Sequence, residues 1–169
     1  MNKQFIFFWS GPFSNWYKTN FTIDGITYNC AEQYIMHQKA LLFADNDIAK
    51  QIMASNNPKE QKALGRKIKN FDMYYWNENC VQVVFRGNHA KFLQNKRLYD
   101  MLMNTSPNTL VEASPFDTIW GIGIDEKTAI KVPQSEWKGT NWLGYTLTYL
   151  REFFEEEERI EREYKNGRA

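Results

Sequence analysis

Hydrophobic and polar positions change period along this chain, and the changes mark its elements. The stretch Phe21-Thr-Ile-Asp-Gly-Ile-Thr-Tyr28 sets two β-favouring triplets on either side of Asp24-Gly25. That dipeptide tolerates the left-handed backbone of a tight turn, so a hairpin is predicted. Upstream, Gln4 to Trp9 is apolar and aromatic. From Ala31 to Phe43 there is no Gly or Pro, and apolar residues recur on several sides, which predicts a largely buried helix. Asp45 and Asp47 can cap a second helix. Asn57-Pro58-Lys59-Glu60 reads as an N-cap, a proline at the first helical position and an acid at the capping-box position of a helix running towards Lys67. Residues 72–86 and 88–103 both carry helical spacing, with Gly87 the expected break. After the turn cluster Thr105–Thr109, Leu110-Val111 suggests a short strand, and Ser114-Pro115 opens a loop ending at Gly121 and Gly123. A last helix starts at Asn141. Its continuation through Glu155 to Glu158 and beyond is polar all round, as expected of a solvated extension.

These elements make an α+β fold, predominantly helical, with a few short strands near the N-terminus and around residues 110–124. The expected organisation is one domain over residues 1–154 and a charged helical tail over 155–169.

Composition narrows the function classes. With 169 residues, 43% hydrophobic and 24% charged, the chain lies in the globular range and outside the disordered and low-complexity ranges. No apolar run approaches the ~20 residues of a membrane span, and no basic start leads into a signal-peptide core. A cytoplasmic protein with no membrane partner is expected. Two cysteines and two histidines give neither a disulfide framework nor zinc-ligand spacing, so no metal site is expected. The net charge of +1 hides an asymmetry: residues 59–97 hold nine Lys or Arg against three acids, so the remainder sums to −5. A basic middle suits an anionic group such as a phosphate, and equally a solvated helix face.

Three constellations could carry chemistry. In Cys30-Ala-Glu-Gln-Tyr-Ile-Met-His-Gln-Lys-Ala40, Glu32 and Lys39 stand about 20° apart on one helix stripe and about 10 Å apart along its axis, too far to bond directly. Ile35, Met36 and Phe43 share that stripe. An acid and an amine at the two ends of an apolar patch need a partner or a purpose, although each could snorkel to the surface. The second constellation, Ser114 to Gly123, puts Asp117 and Trp120 before Gly121 and Gly123. Trp120 could stack on a flat ring and Gly121 admit a ligand, or Asp117 could accept turn hydrogen bonds with Trp120 in the core. It lacks the third glycine of a dinucleotide fingerprint. In the third, Phe13-Ser-Asn-Trp-Tyr17, Ser14 and Asn15 could bond a hydroxyl or phosphate, or stabilise the turn. Arg66, Arg86 and Lys91 are the basic residues suited to phosphate contact.

Taken in order, these residues resemble the YbiA-like or NADAR family, named for NAD and ADP-ribose. The resemblance runs from Phe8-Trp9 and Phe13–Tyr17 through Ala31-Glu32-Gln33-Tyr34, Lys39-Ala40, Gly65-Arg66, Lys91-Phe92 and Gln94-Asn95. It continues through Leu110–Ser114, Asp117 and Trp120-Gly121-Ile122-Gly123 to Asn141 and Gly144. Trp16 stands where the family usually has Phe, and the tail after about Phe154 lies outside the resemblance.

The resemblance implies an N-glycosidase that cleaves the bond between ribose C1 and an exocyclic amine. The substrate would be an aminopyrimidine ribose phosphate or guanine bearing ADP-ribose, free or in nucleic acid. The family's essential lysine maps onto Lys39, which would act through a Schiff base and require no cofactor. Glu32 and Asp117 become the acid–base candidates, with Ser14, Asn15, Tyr34, Arg66, Trp76, Lys91, Trp120 and Gly121 as the substrate-binding set. Two other readings stay open: a glycoside hydrolase using the two carboxylates alone, and a non-catalytic module that binds ADP-ribose or NAD. A general nucleic-acid binder fits less well with a balanced charge and an acidic tail.

Overall fold

The computed structural model describes residues 4–167. In chain order its elements are β1 (Phe5–Phe8), β2 (Phe21–Ile23), β3 (Ile26–Tyr28), α1 (Ala31–Leu42), α2 (Asn46–Ala54), α3 (Pro58–Gly65), α4 (Met73–Leu93), α5 (Lys96–Met103), β4 (Thr109–Glu112), α6 (Glu126–Ala129) and α7 (Trp142–Asn166). A 3-10 turn, Gln134–Glu136, precedes α7. The fold is α+β and predominantly helical, as the hydrophobic pattern predicts. The chain divides into two compact units, one from Ser10 to Tyr99 and the other formed by the residues up to Trp9 with those from Asp100 onwards.

In the Ser10–Tyr99 unit, β2 and β3 form the expected antiparallel hairpin, with Asp24 and Gly25 at φ 51° and 78°. Helices α1, α2 and α3 close over an apolar cluster of Ala40, Ile48, Ala49, Ile52, Leu64 and Ile68, flanked by Met36 and Phe43. A buried amide network fixes the start of α1. Gln33 donates from Nε2 to the carbonyls of Ile52 and Ser55 and accepts at Oε1 from the Asn29 amide at 2.8 Å. Gln61 donates to the Ser55 carbonyl at 2.8 Å and to Asn29 Oδ1. Cys30 is the N-cap of α1, and its thiol donates to Gln61 Oε1. Burial pushes that thiol up to about 11, which keeps the proton it donates. Buried amides are tolerated when they are satisfied in this way.

The expected break at Gly87 does not occur. Helix α4 runs through it from Met73 to Leu93, and the chain breaks instead at Gln94-Asn95 before α5. The glycine serves packing: a Cβ there would lie 2.5 Å from Cδ1 of the buried Tyr34 ring. A residue that lowers helix propensity is retained because a side chain would displace a core aromatic.

The other unit pairs β1 with β4 in parallel, Phe5 opposite Thr109 and Phe8 opposite Glu112. One edge of β4 faces β1, with the amides of Thr109 and Ala113 donating to the carbonyls of Gln4 and Phe8. Its other edge is served by side chains of α7 and its cap. The Leu110 amide donates to Thr148 Oγ1 at 3.0 Å, the Glu112 amide to Asn141 Oδ1 at 2.9 Å, and Asn141 Nδ2 to the Leu110 carbonyl. The buried strand β4 therefore has backbone partners on both of its edges. Beyond Phe154 the residues of α7 are exposed or half-buried, with Arg159 paired to Glu156 and Glu163, a solvated extension as expected. The short α6, capped by Asp125, has no counterpart in the hydrophobic pattern.

Candidate functional site

Helix α1 presents Lys39 half-buried, its Nζ donating to the Gly65 carbonyl at the end of α3 at 3.1 Å. Two rings flank the ammonium, with the Phe71 centroid at 4.1 Å and the Trp76 centroid at 5.4 Å. The close meeting of α1 and α3 depends on Gly65, whose missing side chain is replaced by Met36 of α1. Burial lowers the Lys39 pKa; the nearby Glu32 carboxylate acts to raise it and the Arg66 guanidinium to lower it. Glu32 is buried in the first turn of α1, and its amide donates to the Asn15 carbonyl at 2.9 Å. Arg66 is exposed, as the C-cap of α3. Lys39, Glu32, Arg66 and Trp76 therefore form one neighbourhood, an amine of reduced basicity between aromatic walls with an acid and a guanidinium nearby.

Several sequence candidates take other places. Tyr34 does not line this neighbourhood. It is 1% exposed, packed edge-on to Tyr28 at 5.1 Å and to Phe21 at 6.4 Å, so it belongs to the core. Lys91 is fully buried, with Nζ donating to the Ser14 carbonyl at 2.9 Å. Desolvation pushes its pKa down to about 7. It holds a loop from beneath and does not reach solvent for a phosphate. Ser14 Oγ accepts from the Trp16 amide and Asn15 Oδ1 from Asn88 Nδ2, so both shape the turn. That turn matters for the site because its Asn15 carbonyl receives the Glu32 amide. Arg86 is engaged by Asp24 at 2.8 Å.

Asp117, Trp120 and Gly121 lie in the other unit, together in one loop. Asp117 Oδ1 accepts from the amides of Ile119 and Trp120 at 3.0 and 2.8 Å, an Asx turn. Trp120 packs edge-on to Trp142 at 5.7 Å. The carbonyls of Ile119, Trp120 and Gly121 receive the amides of Trp142, Leu143 and Asn141, which satisfies the start of α7 where no side chain caps it. Gly121 is required by the protein's own backbone, since a Cβ would lie 2.9 Å from the Glu112 carbonyl oxygen and 3.0 Å from that of Asp117. Of the two sequence readings of this loop, its contacts favour the turn.

Phe71 is absent from the sequence candidates. It sits between α3 and α4, where no helical period relates it to Lys39, and only the packing of α4 brings it there. Among the described residues no cluster of three or more His, Cys, Asp or Glu could hold a metal ion, and no helix is long and apolar enough to cross a membrane.

Comparison with known proteins fixes the family. The NADAR domain model matches residues 7–155. The chain belongs to the NADAR family. N-glycosidase R617 of Acanthamoeba polyphaga mimivirus is 41% identical over 145 residues, covering 83% of this chain and 85% of that protein. N-glycosidase YbiA of Escherichia coli (strain K12) is 32% identical over 142 residues, covering 84% and 80%. The NMR structure of E. coli YbiA superposes with a TM-score of 0.77 at 31% identity, covering 94% of this chain and 89% of that one. Relatives named N-glycosidases thus surround this NADAR protein, and glycosidase is the activity class that membership supports.

Proposed function

We propose that this NADAR protein hydrolyses the bond between ribose C1 and an exocyclic amine, with Lys39 as a covalent nucleophile. The observation that carries the reading is the half-buried Lys39 amine, held between Phe71 and Trp76 with its pKa lowered by desolvation. A lysine nucleophile must be neutral, and desolvation shifts Lys39 towards that form.

The chemistry balances without a cofactor. Proton delivery to the ring oxygen opens the ribose as the lone pair of the exocyclic nitrogen forms a C1 imine. Lys39 Nζ adds to C1, a proton passes between the two nitrogens, and the original amine departs with its electron pair, leaving C1 as a Lys39 imine. Water adds to C1, the C1–Nζ bond breaks, and the free sugar closes again. The net change is glycosylamine plus water to amine plus ribose. Glu32 is assigned the proton transfers because its charge already acts on Lys39. Asp117 is assigned the loop, since its carboxylate is engaged by two backbone amides. Arg66 is the exposed cation in the same neighbourhood for a substrate phosphate. ADP-ribosylated guanine and an aminopyrimidine ribose phosphate both present the required linkage.

Reductive trapping tests the reading. Incubation with ADP-ribose, or separately ribose 5-phosphate, under cyanoborohydride should add one sugar unit to Lys39, mapped by peptide fragmentation and missing from Lys39→Ala. Turnover with no adduct on Lys39 would rule out the covalent lysine and favour a carboxylate mechanism.

A further inference from the structure

We infer that the extension of α7 docks on the basic face around α3 of a second copy, so that this chain associates with itself through apolar surfaces of opposite charge. The inference is independent of the Lys39 reading. Although solvated, the extension carries an apolar line. Tyr149, Phe153, Ile160 and Tyr164 are all exposed, and at about 100° per residue they fall within about 60° of one another along about 22 Å of helix. Leu143, Leu147, Leu150 and Phe154 of the same helix are buried, on a face centred about 100° away. Exposed apolar residues aligned over that length mark a contact surface, unlike apolar residues scattered singly. The line also continues past residue 155, where the match to the NADAR domain ends.

Charge decides the occupant. Glu152, Glu156 and Glu163 flank the line on one side, Glu157 and Glu161 on the other. Arg159, beside them, is already paired to Glu156 and Glu163. Two such lines are therefore a poor match for each other. In parallel, Glu156 and Glu163 would each face its own counterpart; antiparallel, with Phe153 against Ile160, Glu156 would face Glu157 and Glu152 would face Glu161. Like charges set against each other suppress that pairing. A basic surface is required, and the chain has one. Residues 59–69 hold five Lys or Arg against one acid, while residues 155–166 hold six Glu against three Lys or Arg. Lys59, Arg66, Lys67 and Lys69 are exposed, and the exposed Phe71, Met73, Tyr74 and Tyr75 follow in the chain. Phe71 and Tyr75 are braced on one ring, that of Phe43. Opposite charge steers the two surfaces together, and aromatic contact supplies the apolar centre.

Sedimentation velocity of the full chain tests the inference. The expected result is reversible self-association at or below about 100 µM in about 50 mM salt, weakened at least about tenfold in about 500 mM salt. Charge reversal on either surface, Glu157→Lys with Glu161→Lys or Lys67→Glu with Lys69→Glu, should weaken it by about tenfold or more at low salt. Ile160→Ser should weaken it as well, because the contact needs the apolar line and not charge alone. Mixing the two reversed chains sets each altered surface against its new opposite and should restore association. Thermal unfolding of all these variants should stay close to wild type, since every changed side chain is exposed. A chain that stays monomeric at about 100 µM in low salt overturns the inference. Association that survives either reversal overturns it too, by placing the contact on another surface, and so does a mixture that fails to associate, by showing that the two surfaces do not meet.

Discussion

Lys39 and Lys91 lie in the same unit, and burial lowers the pKa of both, yet their surroundings differ. Lys91 is sealed, with its ammonium against the Ser14 carbonyl under the loop that receives the first turn of α1. Lys39 is half-buried, and its nearest ring wall is open to solvent. Burial alone depresses a lysine's pKa at either kind of position, so a perturbed amine is no mark of function by itself. What separates them is access: a nucleophile needs a route for substrate and a place for the leaving group, and of these two lysines only Lys39 lies beside exposed aromatic surface.

The sharpest way to break the comparison is to exchange the chemistry at Lys39. Lys39→Arg keeps the charge but removes the nucleophile and should lower turnover by at least about 10³-fold. Thermal unfolding should stay close to that of wild type. Activity near wild type would return Lys39 to the same structural class as Lys91.

Lys91→Met should do the opposite. It removes one of the two donors to the Ser14 carbonyl, the Tyr17 amide at 3.1 Å remaining, at a cost of about 0.5–1.5 kcal/mol in urea unfolding, while sugar trapping on Lys39 persists in the folded fraction. Loss of trapping in protein that remains folded would mean that Lys91 acts on the reaction as well.

The same pair predicts a pH signature. Lys91 has a folded pKa of about 7, against an unfolded lysine near 10.4. Between those values the unfolded chain binds more protons, so stability rises with pH from about 7 to about 10. Below 7 both states are protonated and this contribution is flat. Urea midpoints at pH 7 and 9 should therefore increase in wild type, with that increase reduced in Lys91→Met.

The smallest effect is the most local. Arg66 lowers and Glu32 raises the Lys39 pKa, so Arg66→Gln should move the rising limb of the pH–rate profile to higher pH. Glu32→Gln should move the same limb to lower pH, whatever its effect on the maximum rate. Shifts of the same sign would show that another group sets the limb.

Much of this was legible along the chain. Asp24-Gly25, the Asn57-Pro58 start and the uninterrupted Ala31–Phe43 run are local signals, and each element formed where its residues direct. The capping acid worked indirectly: Glu60 accepts from Ser55 Oγ, which in turn accepts from the Asn57 amide. Gly87 misled because its reason is a neighbour's ring and not its own backbone. Tyr34 shows the same limit, since its place in a family-like motif says nothing of which side it buries.

The sequence by itself determined α1 to α3 and the start of α7, the hairpin, the family and the stripe that carries Glu32 and Lys39, because helical period and turn chemistry act over a few residues. Tertiary structure alone decided that Lys39 meets Phe71, Trp76 and the Gly65 carbonyl, and that Lys91 is sealed. Desolvation and ring contact depend on atoms far apart in the chain, and no local pattern encodes which of them will meet.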